Sequence, residues 1–213
     1  LITYHAALPL YINSSFIGTF VPEAAIGFVY VIASLLTIIL LAQFPKVLSK
    51  FGNYKTIMGI IVLQIFSLIL LSFPAHPLIL LAAFILTQIW LTLIGFNLDV
   101  FLEQASVDKT TGATRGIFLT IINLAVLLGS LSTGIILSDG NFGEMYLISA
   151  FFLIPALFIT VKRLSTFKDP NYRITPYMRA MWDVLFAKHP NDEVRHAVIA
   201  GLLLRFFYSW MII

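Results

Sequence analysis

The feature that most constrains this chain is a series of long apolar runs, each close to the thickness of a lipid bilayer. A helix needs about 20 apolar residues to cross about 30 Å of hydrocarbon. Such runs occur at residues 1–20, 24–44, 56–73, 78–97, 117–136, 145–161 and 197–213. Because they are continuous rather than alternating, they favour membrane-spanning helices over transmembrane β-strands.

The composition agrees with this interpretation. The chain is 60% hydrophobic and 11% charged, whereas soluble domains are about 45–50% apolar and about 25% charged. The net charge of +3 is too small to suggest a nucleic-acid partner, and the absence of cysteine excludes disulfides, thiolate nucleophiles and cysteine-ligated metals. The sequence therefore predicts an all-α, polytopic transmembrane bundle, and it gives no sign of a cofactor.

The basic residues predict the orientation of the bundle. All but one of the 13 lysines and arginines fall between spans two and three, four and five, or six and seven; the exception is Arg205. Short loops rich in Lys and Arg are retained on the cytoplasmic side. We therefore predict that these three loops are cytoplasmic, in the inner membrane if the source is bacterial.

The spacing of the runs also predicts the domain organisation. Residues 1–164 form a six-helix bundle, 165–195 a cytoplasmic linker, and 196–213 the start of a second bundle. Within the linker, Thr175 and Pro176 are typical of a helix start, and the spacing that follows predicts a short amphipathic helix lying on lipid or on protein. Since the seventh run stops at the end of the sequence, we expect the chain to be a fragment whose carboxy-terminal half is missing.

Several polar side chains fall deep within the predicted spans. Gln88 lies about 15 Å into span four by helical rise, which is the bilayer midplane. Arg205 lies about 12 Å into span seven, where arginine costs about 2.5–3.5 kcal/mol and usually faces a partner or a wet cavity. A structural role, such as a histidine bonded to a neighbouring helix, stays open. The candidate substrate or coupling residues are His5, Asn13, Gln88, Thr92 and Arg205.

A second candidate cluster lies at the cytoplasmic edge. Asp99 comes out about 32 Å from the start of span four, at the inner interface. Carboxylates there, facing basic loops, favour a structural or gating ion-pair cluster over a midplane proton relay. The candidate gating residues are Lys50, Gly52, Lys55, Asp99, Glu103 and Arg115.

Small and polar residues also recur at helical spacing along two other spans. Such stripes usually mark helix-packing faces in membranes. The stripe on span two consists of Gly27, Ser34 and Thr37, and the one on span five of Gly116, Thr120, Asn123, Leu127, Ser130 and Gly134.

The segment between spans two and three carries a family resemblance. Lys50, Gly52 and Lys55 match in kind the major facilitator superfamily signature of Gly, three residues, Asp-Arg, any residue, Gly and basic residues. Pro45 stands in place of the first Gly, and Ser49 in place of the Asp. With six spans, short outer loops and a long basic linker, the chain resembles the amino-terminal half of a major facilitator superfamily transporter.

This resemblance implies a function. It implies two six-helix bundles that move a small solute by alternating access around a midplane site, with spans one, four and seven lining the cavity. The five candidate substrate residues fall on those spans. A proton is the candidate coupling ion because the unperturbed pKa of histidine, about 6.5, lies near ambient pH. Because Ser49 stands where the family has an Asp, the charge network that is thought to hold the family's outward-open state is less expected here.

Two alternatives come from other classes of protein. A receptor or assembly subunit could share the fold without transporting anything. A membrane-embedded lipid-modifying enzyme would need clustered acidic or histidine ligands, and the sequence offers only Asp99 and Glu103 close together.

The predicted orientation can be tested by cysteine labelling, since the chain has no native cysteine. Single cysteines at Asn141 and Lys168 should behave oppositely in intact cells treated with a membrane-impermeant thiol reagent. We expect Asn141→Cys to be labelled and Lys168→Cys to be labelled only after permeabilisation. The reverse pattern would invert the assigned orientation.

Overall fold

The computed structural model describes residues 10–73, 75–106, 111–137, 140–170, 172, 195–196 and 198–203. These residues include helices α1 (Leu10–Gly18), α2 (Glu23–Phe51), α3 (Asn53–Ser72), α4 (Pro77–Ala105), α5 (Thr111–Ile136) and α6 (Phe142–Leu164). Residues 198–203 are also helical, and no strand occurs in the described part of the chain. The predicted all-α fold is confirmed.

Five of these helices, α2 to α6, are long and apolar enough to cross a membrane. They correspond to predicted spans two to six. Much of predicted spans one and seven lies outside the described residues, as does the predicted amphipathic helix of the linker. The domain boundaries stay predictions.

The outer surface of the bundle is apolar, and several polar side chains are buried among the apolar residues of its interior. Phe28, Leu78 and Ile135 are about 70%, 68% and 77% exposed, while Asn53 and Gln64 are 0% and 1% exposed. Large exposed apolar surfaces need a nonaqueous surrounding, and polar groups in hydrocarbon must be satisfied within the protein. The chain is therefore an integral, multi-pass membrane protein.

Helix α3 is the centre of the packing. It contacts α6 and α4 most extensively, and α4 also packs on α2. One apolar core, with Leu68, Phe84 and Tyr146, lies towards the end of the bundle where α3 finishes. A second, with Ile57 and Phe101, lies towards the end where α3 begins. These two cores hold α4 against α2, and a groove lies between these two helices.

Most of the predicted packing stripe on α5 is exposed. The helix contacts α4 and α6 only sparsely, and Gly116, Thr120, Asn123 and Leu127 of the predicted seam are exposed. The buried side of α5 instead includes Thr133, whose hydroxyl donates to the Gly129 carbonyl. These four residues are not a contact face with the other described helices, and the packing role of the whole seam stays a prediction.

The connection between α2 and α3 corrects the sequence analysis. Residues 45–55 were expected to form a basic loop, but α2 continues through Pro45 to Phe51, and Gly52 alone separates it from α3. Gly52 has φ 77°, a conformation that favours glycine. Lys50 therefore lies in the last turn of α2, where a cation complements the helix dipole.

Helices α3 and α6 are antiparallel and approach closely at one end. A Cβ placed on Gly143, near the start of α6, would lie 2.6 Å from the Ser72 carbonyl oxygen at the end of α3. Backbone cannot move aside as a flexible side chain can. Gly143 is thus required by packing.

We expect Gly143→Ala to destabilise the protein by about 1–3 kcal/mol because it overpacks this contact. The matched control is Gly59→Ala in α3, where no atom lies within 4 Å of the added Cβ; it should be neutral or stabilising by about 0.5–1 kcal/mol. Thermal unfolding of purified protein in detergent measures both. Equal effects of the two substitutions would contradict the close-approach argument.

Candidate functional site: a polar groove between α2 and α4

The first candidate site is a groove between α2 and α4 with a volume of about 250 Å³. It combines one aromatic and several small polar side chains. Its lining consists of Tyr30, Ala33, Ser34, Thr37, Ile38, Gln88 and Thr92.

The polar groups of the two helices lie at matching depths. Ser34 and Gln88 each come 11 residues after the first residue of their helix, Glu23 and Pro77 respectively, or about 16 Å along the axis. Thr92 lies one turn beyond Gln88. The groove therefore lies near the middle of a bilayer of about 30 Å.

The hydroxyls in the groove are held by their own helices. The Thr37 hydroxyl donates to the Ala33 carbonyl at 2.7 Å, and the Thr92 hydroxyl donates to the Gln88 carbonyl at 3.1 Å. A hydroxyl that donates in this way still has lone pairs to accept a hydrogen bond. The Gln88 side-chain amide adds both donors and an acceptor.

Tyr30 forms one edge of the groove and is fixed on two sides. Its hydroxyl lies 3.4 Å from the Ser14 hydroxyl of α1, and its ring meets Phe84 edge-on with centroids 5.7 Å apart. None of the seven lining residues carries a formal charge. The groove can thus exchange several hydrogen bonds with a polar solute, while any charge on that solute would need a partner elsewhere.

The structure brings two of the predicted substrate residues together, Gln88 and Thr92. Asn13 lies elsewhere: it is buried, and its Oδ1 accepts a hydrogen bond from the Tyr146 hydroxyl of α6 at 3.1 Å. His5 and Arg205 lie outside the described residues. The roles of all five in substrate binding or coupling stay predictions.

Ser34 and Thr37 were predicted to belong to a helix-packing stripe, and Tyr30 was not predicted to be a site residue. A usable signal was present, because Tyr30, Ser34 and Thr37 follow one another at steps of four and three, which places them on one helix face. An aromatic hydroxyl extending a stripe of small polar residues distinguishes this groove from a simple packing face.

The second candidate site is a pocket of about 650 Å³ at the α2–α3 turn. It contains three of the predicted gating residues, Lys50, Gly52 and Lys55, together with Asp169 and Tyr172.

The remaining predicted gating residues, Asp99, Glu103 and Arg115, are exposed on α4 and α5. The carboxylate placed against the α2–α3 turn is Asp169, which the sequence analysis did not identify. The ion-pair role of the predicted gating cluster stays untested.

Asp169 accepts two hydrogen bonds, one from the α2–α3 turn and one from Tyr172 of its own segment. Its Oδ1 accepts hydrogen bonds from the Asn53 backbone N–H at 2.7 Å and from the Tyr172 hydroxyl at 2.6 Å. Burial, the hydrogen bond to Asp169 and the charge of that carboxylate raise the pKa of the Tyr172 phenol. The phenol therefore keeps the proton that it donates.

The fold and the groove define a multi-pass membrane protein with a polar cleft between apolar helices. The chain is similar to an uncharacterized MFS-type transporter of Methanocaldococcus jannaschii, with 26% identity over 139 residues. The match covers 65% of this chain and 36% of that protein, so the chain spans about a third of the length of this relative. No protein-family model matches the chain, and no solved structure does.

The Asn13–Tyr146 contact can be tested by removing its donor. Tyr146→Phe should lower the free energy of unfolding by about 0.5–2 kcal/mol, because it leaves the buried Asn13 oxygen without this hydrogen bond. Tyr30→Phe is the control, since its hydroxyl lies 3.4 Å from Ser14 in a partly buried position. Thermal unfolding in detergent should show the larger loss for Tyr146→Phe; the opposite order would argue against a structural role for Asn13.

Proposed function

We propose that this chain is the amino-terminal part of a secondary active transporter, which moves a small polar solute across the membrane by alternating access. The observation that carries the proposal is the groove at mid-membrane depth, where polar groups of α2 and α4 face a shared space. Hydrocarbon offers such groups no hydrogen bonds. A solute in the groove would supply hydrogen-bond partners for these polar groups, which helix packing alone does not.

The distant relative supports the same class of protein. Its name describes an MFS-type transporter, in agreement with the resemblance carried by Lys50, Gly52 and Lys55. A transporter also accounts for an apolar exterior combined with a polar interior cleft. It requires no catalytic group, so the proposed protein is not an enzyme.

In this proposal the groove supplies part of the solute's coordination. Gln88 offers donors and an acceptor, and the hydroxyls of Ser34, Thr37 and Thr92 can accept hydrogen bonds. Together they would replace water around a polar solute. The second half of the protein would complete the site, and Arg205 of predicted span seven is the candidate charged group.

Coupling to a proton is part of the proposal and rests on His5. Its side chain changes charge near ambient pH, and it belongs to the same predicted span as Asn13. Movement of the solute would then be driven by a pH gradient.

The groove can be tested by measuring uptake of radiolabelled polar solutes into vesicles reconstituted with the full-length protein. The probes are sugars, amino acids and carboxylates, each with and without an imposed pH gradient. For any solute transported, Gln88→Ala should reduce the initial rate about tenfold, the loss expected for one hydrogen bond of about 1.4 kcal/mol. Gln43→Ala is the matched control, since Gln43 is an exposed glutamine of α2 outside the groove.

Unchanged uptake by Gln88→Ala would argue against the groove as a solute pathway. A protein that binds a probe but moves none across sealed vesicles would instead favour the receptor or assembly subunit. Retention of the full pH-gradient response by His5→Ala would refute proton coupling through His5 while leaving the groove intact.

A further inference from the structure

The segment that follows α6 lies across the ends of two other helices. We call residues 165–170 together with Tyr172 the strap. The Phe167 ring packs edge-on against Phe101 of α4, with centroids 4.4 Å apart. Two residues later, Asp169 reaches the start of α3. The strap is thus held at two points, one apolar and one polar.

Asp169 provides a hydrogen-bond acceptor for the first turn of α3, which the α2–α3 turn itself lacks. The first N–H groups of a helix have no acceptor within the helix, and Gly52, at the N-cap of α3, has no side chain to supply one. The Asp169 carboxylate accepts from the Asn53 N–H although the two residues are 116 positions apart. The positive end of the helix dipole also favours a carboxylate there.

The turn is shaped to receive this carboxylate. A Cβ on Gly52 would lie 2.5 Å from the Asp169 Oδ2, closer than two such atoms can approach. Any other residue at position 52 would push the Asp169 carboxylate away from the turn, in addition to the strain caused by the positive φ of 77°. Lys50 and Lys55 line the same pocket as the carboxylate.

The contact is also suited to opening. Asp169 is exposed, and its Oδ1 is joined to the turn by the hydrogen bond from the Asn53 N–H. Exposed hydrogen bonds with little apolar burial open at a low free-energy cost. Phe167 and Tyr172 pack against the apolar core at this end of the bundle, so the part of the strap suited to opening is the exposed hydrogen bond of Asp169.

We propose that the strap is a releasable tie, in which Asp169 holds the connection that follows α6 against the α2–α3 turn and detaches when the two move apart. This is a conformational device of the cytoplasmic end of the bundle. It does not depend on which solute the protein moves or on whether it moves one.

The experiment is a distance measurement in the full-length protein reconstituted in lipid. Spin labels at Ser49→Cys and Lys168→Cys, both exposed positions beside the contact, report on the strap by pulsed electron paramagnetic resonance. We expect a dominant short distance. Asp169→Asn, which removes the charge and keeps the shape, should raise the ratio of long to short distances about tenfold.

Two further variants separate the contact from a general effect on folding. Tyr172→Phe removes one donor and should raise the ratio about threefold. Gly52→Ala should raise it as much as Asp169→Asn does, and should add little in an Asp169→Ala background, because the colliding carboxylate is then gone. Glu144→Gln, a neutralised carboxylate at the start of α6, is the control and should leave the ratio unchanged.

An unchanged distance distribution in Asp169→Asn overturns the proposal. If that variant does not fold, Tyr172→Phe decides, and an unchanged distribution there overturns it equally. Failure of solute uptake in any variant leaves this measurement unaffected, so the tie and the proposed transport stand or fall separately.

Discussion

The structure depends on one constraint: hydrocarbon cannot hydrogen-bond, so polar groups of the spanning helices must find partners within the protein. Asn53 illustrates how the donors of one residue are satisfied. Its side-chain amide donates to the Asn97 carbonyl of α4 at 3.1 Å, and its backbone N–H donates to Asp169. One residue at the start of α3 thus binds α4 on one side and the strap on the other. The most extensively packed helix is anchored where it begins.

The same constraint distinguishes two kinds of polar group: those that bond between helices and those that face the groove. Asn13 and Tyr146 satisfy one another within the core. The hydroxyls of Thr37 and Thr92 bond back to their own helices and keep acceptors free towards the groove. The difference separates side chains that hold helices together from side chains that can serve a solute. Depth in the membrane alone does not make that distinction.

The helices could be predicted from the sequence because the signals are local. Apolar length and turn residues identified the spans that became α2 to α6, and the depth of Gln88 and Thr92 pointed to two residues of the groove. The contact of Asp169 could not be predicted, because it joins residues 116 positions apart and depends on how α3 and α6 pack. The continuation of α2 through Pro45 to Phe51 was missed for a different reason: the apolar run ends at residue 44, whereas the helix extends beyond it.

The single-residue connection at Gly52 has a mechanical consequence. With no flexible loop between them, α2 and α3 share one pair of backbone torsions, so a tilt of α2 is transmitted to the first turn of α3. Helix α2, which carries Tyr30 and Ser34 of the groove, is therefore directly connected to α3, on which α4 and α6 pack. In the proposed transporter, a movement of α2 would reach the first turn of α3 through a single residue rather than through a loop.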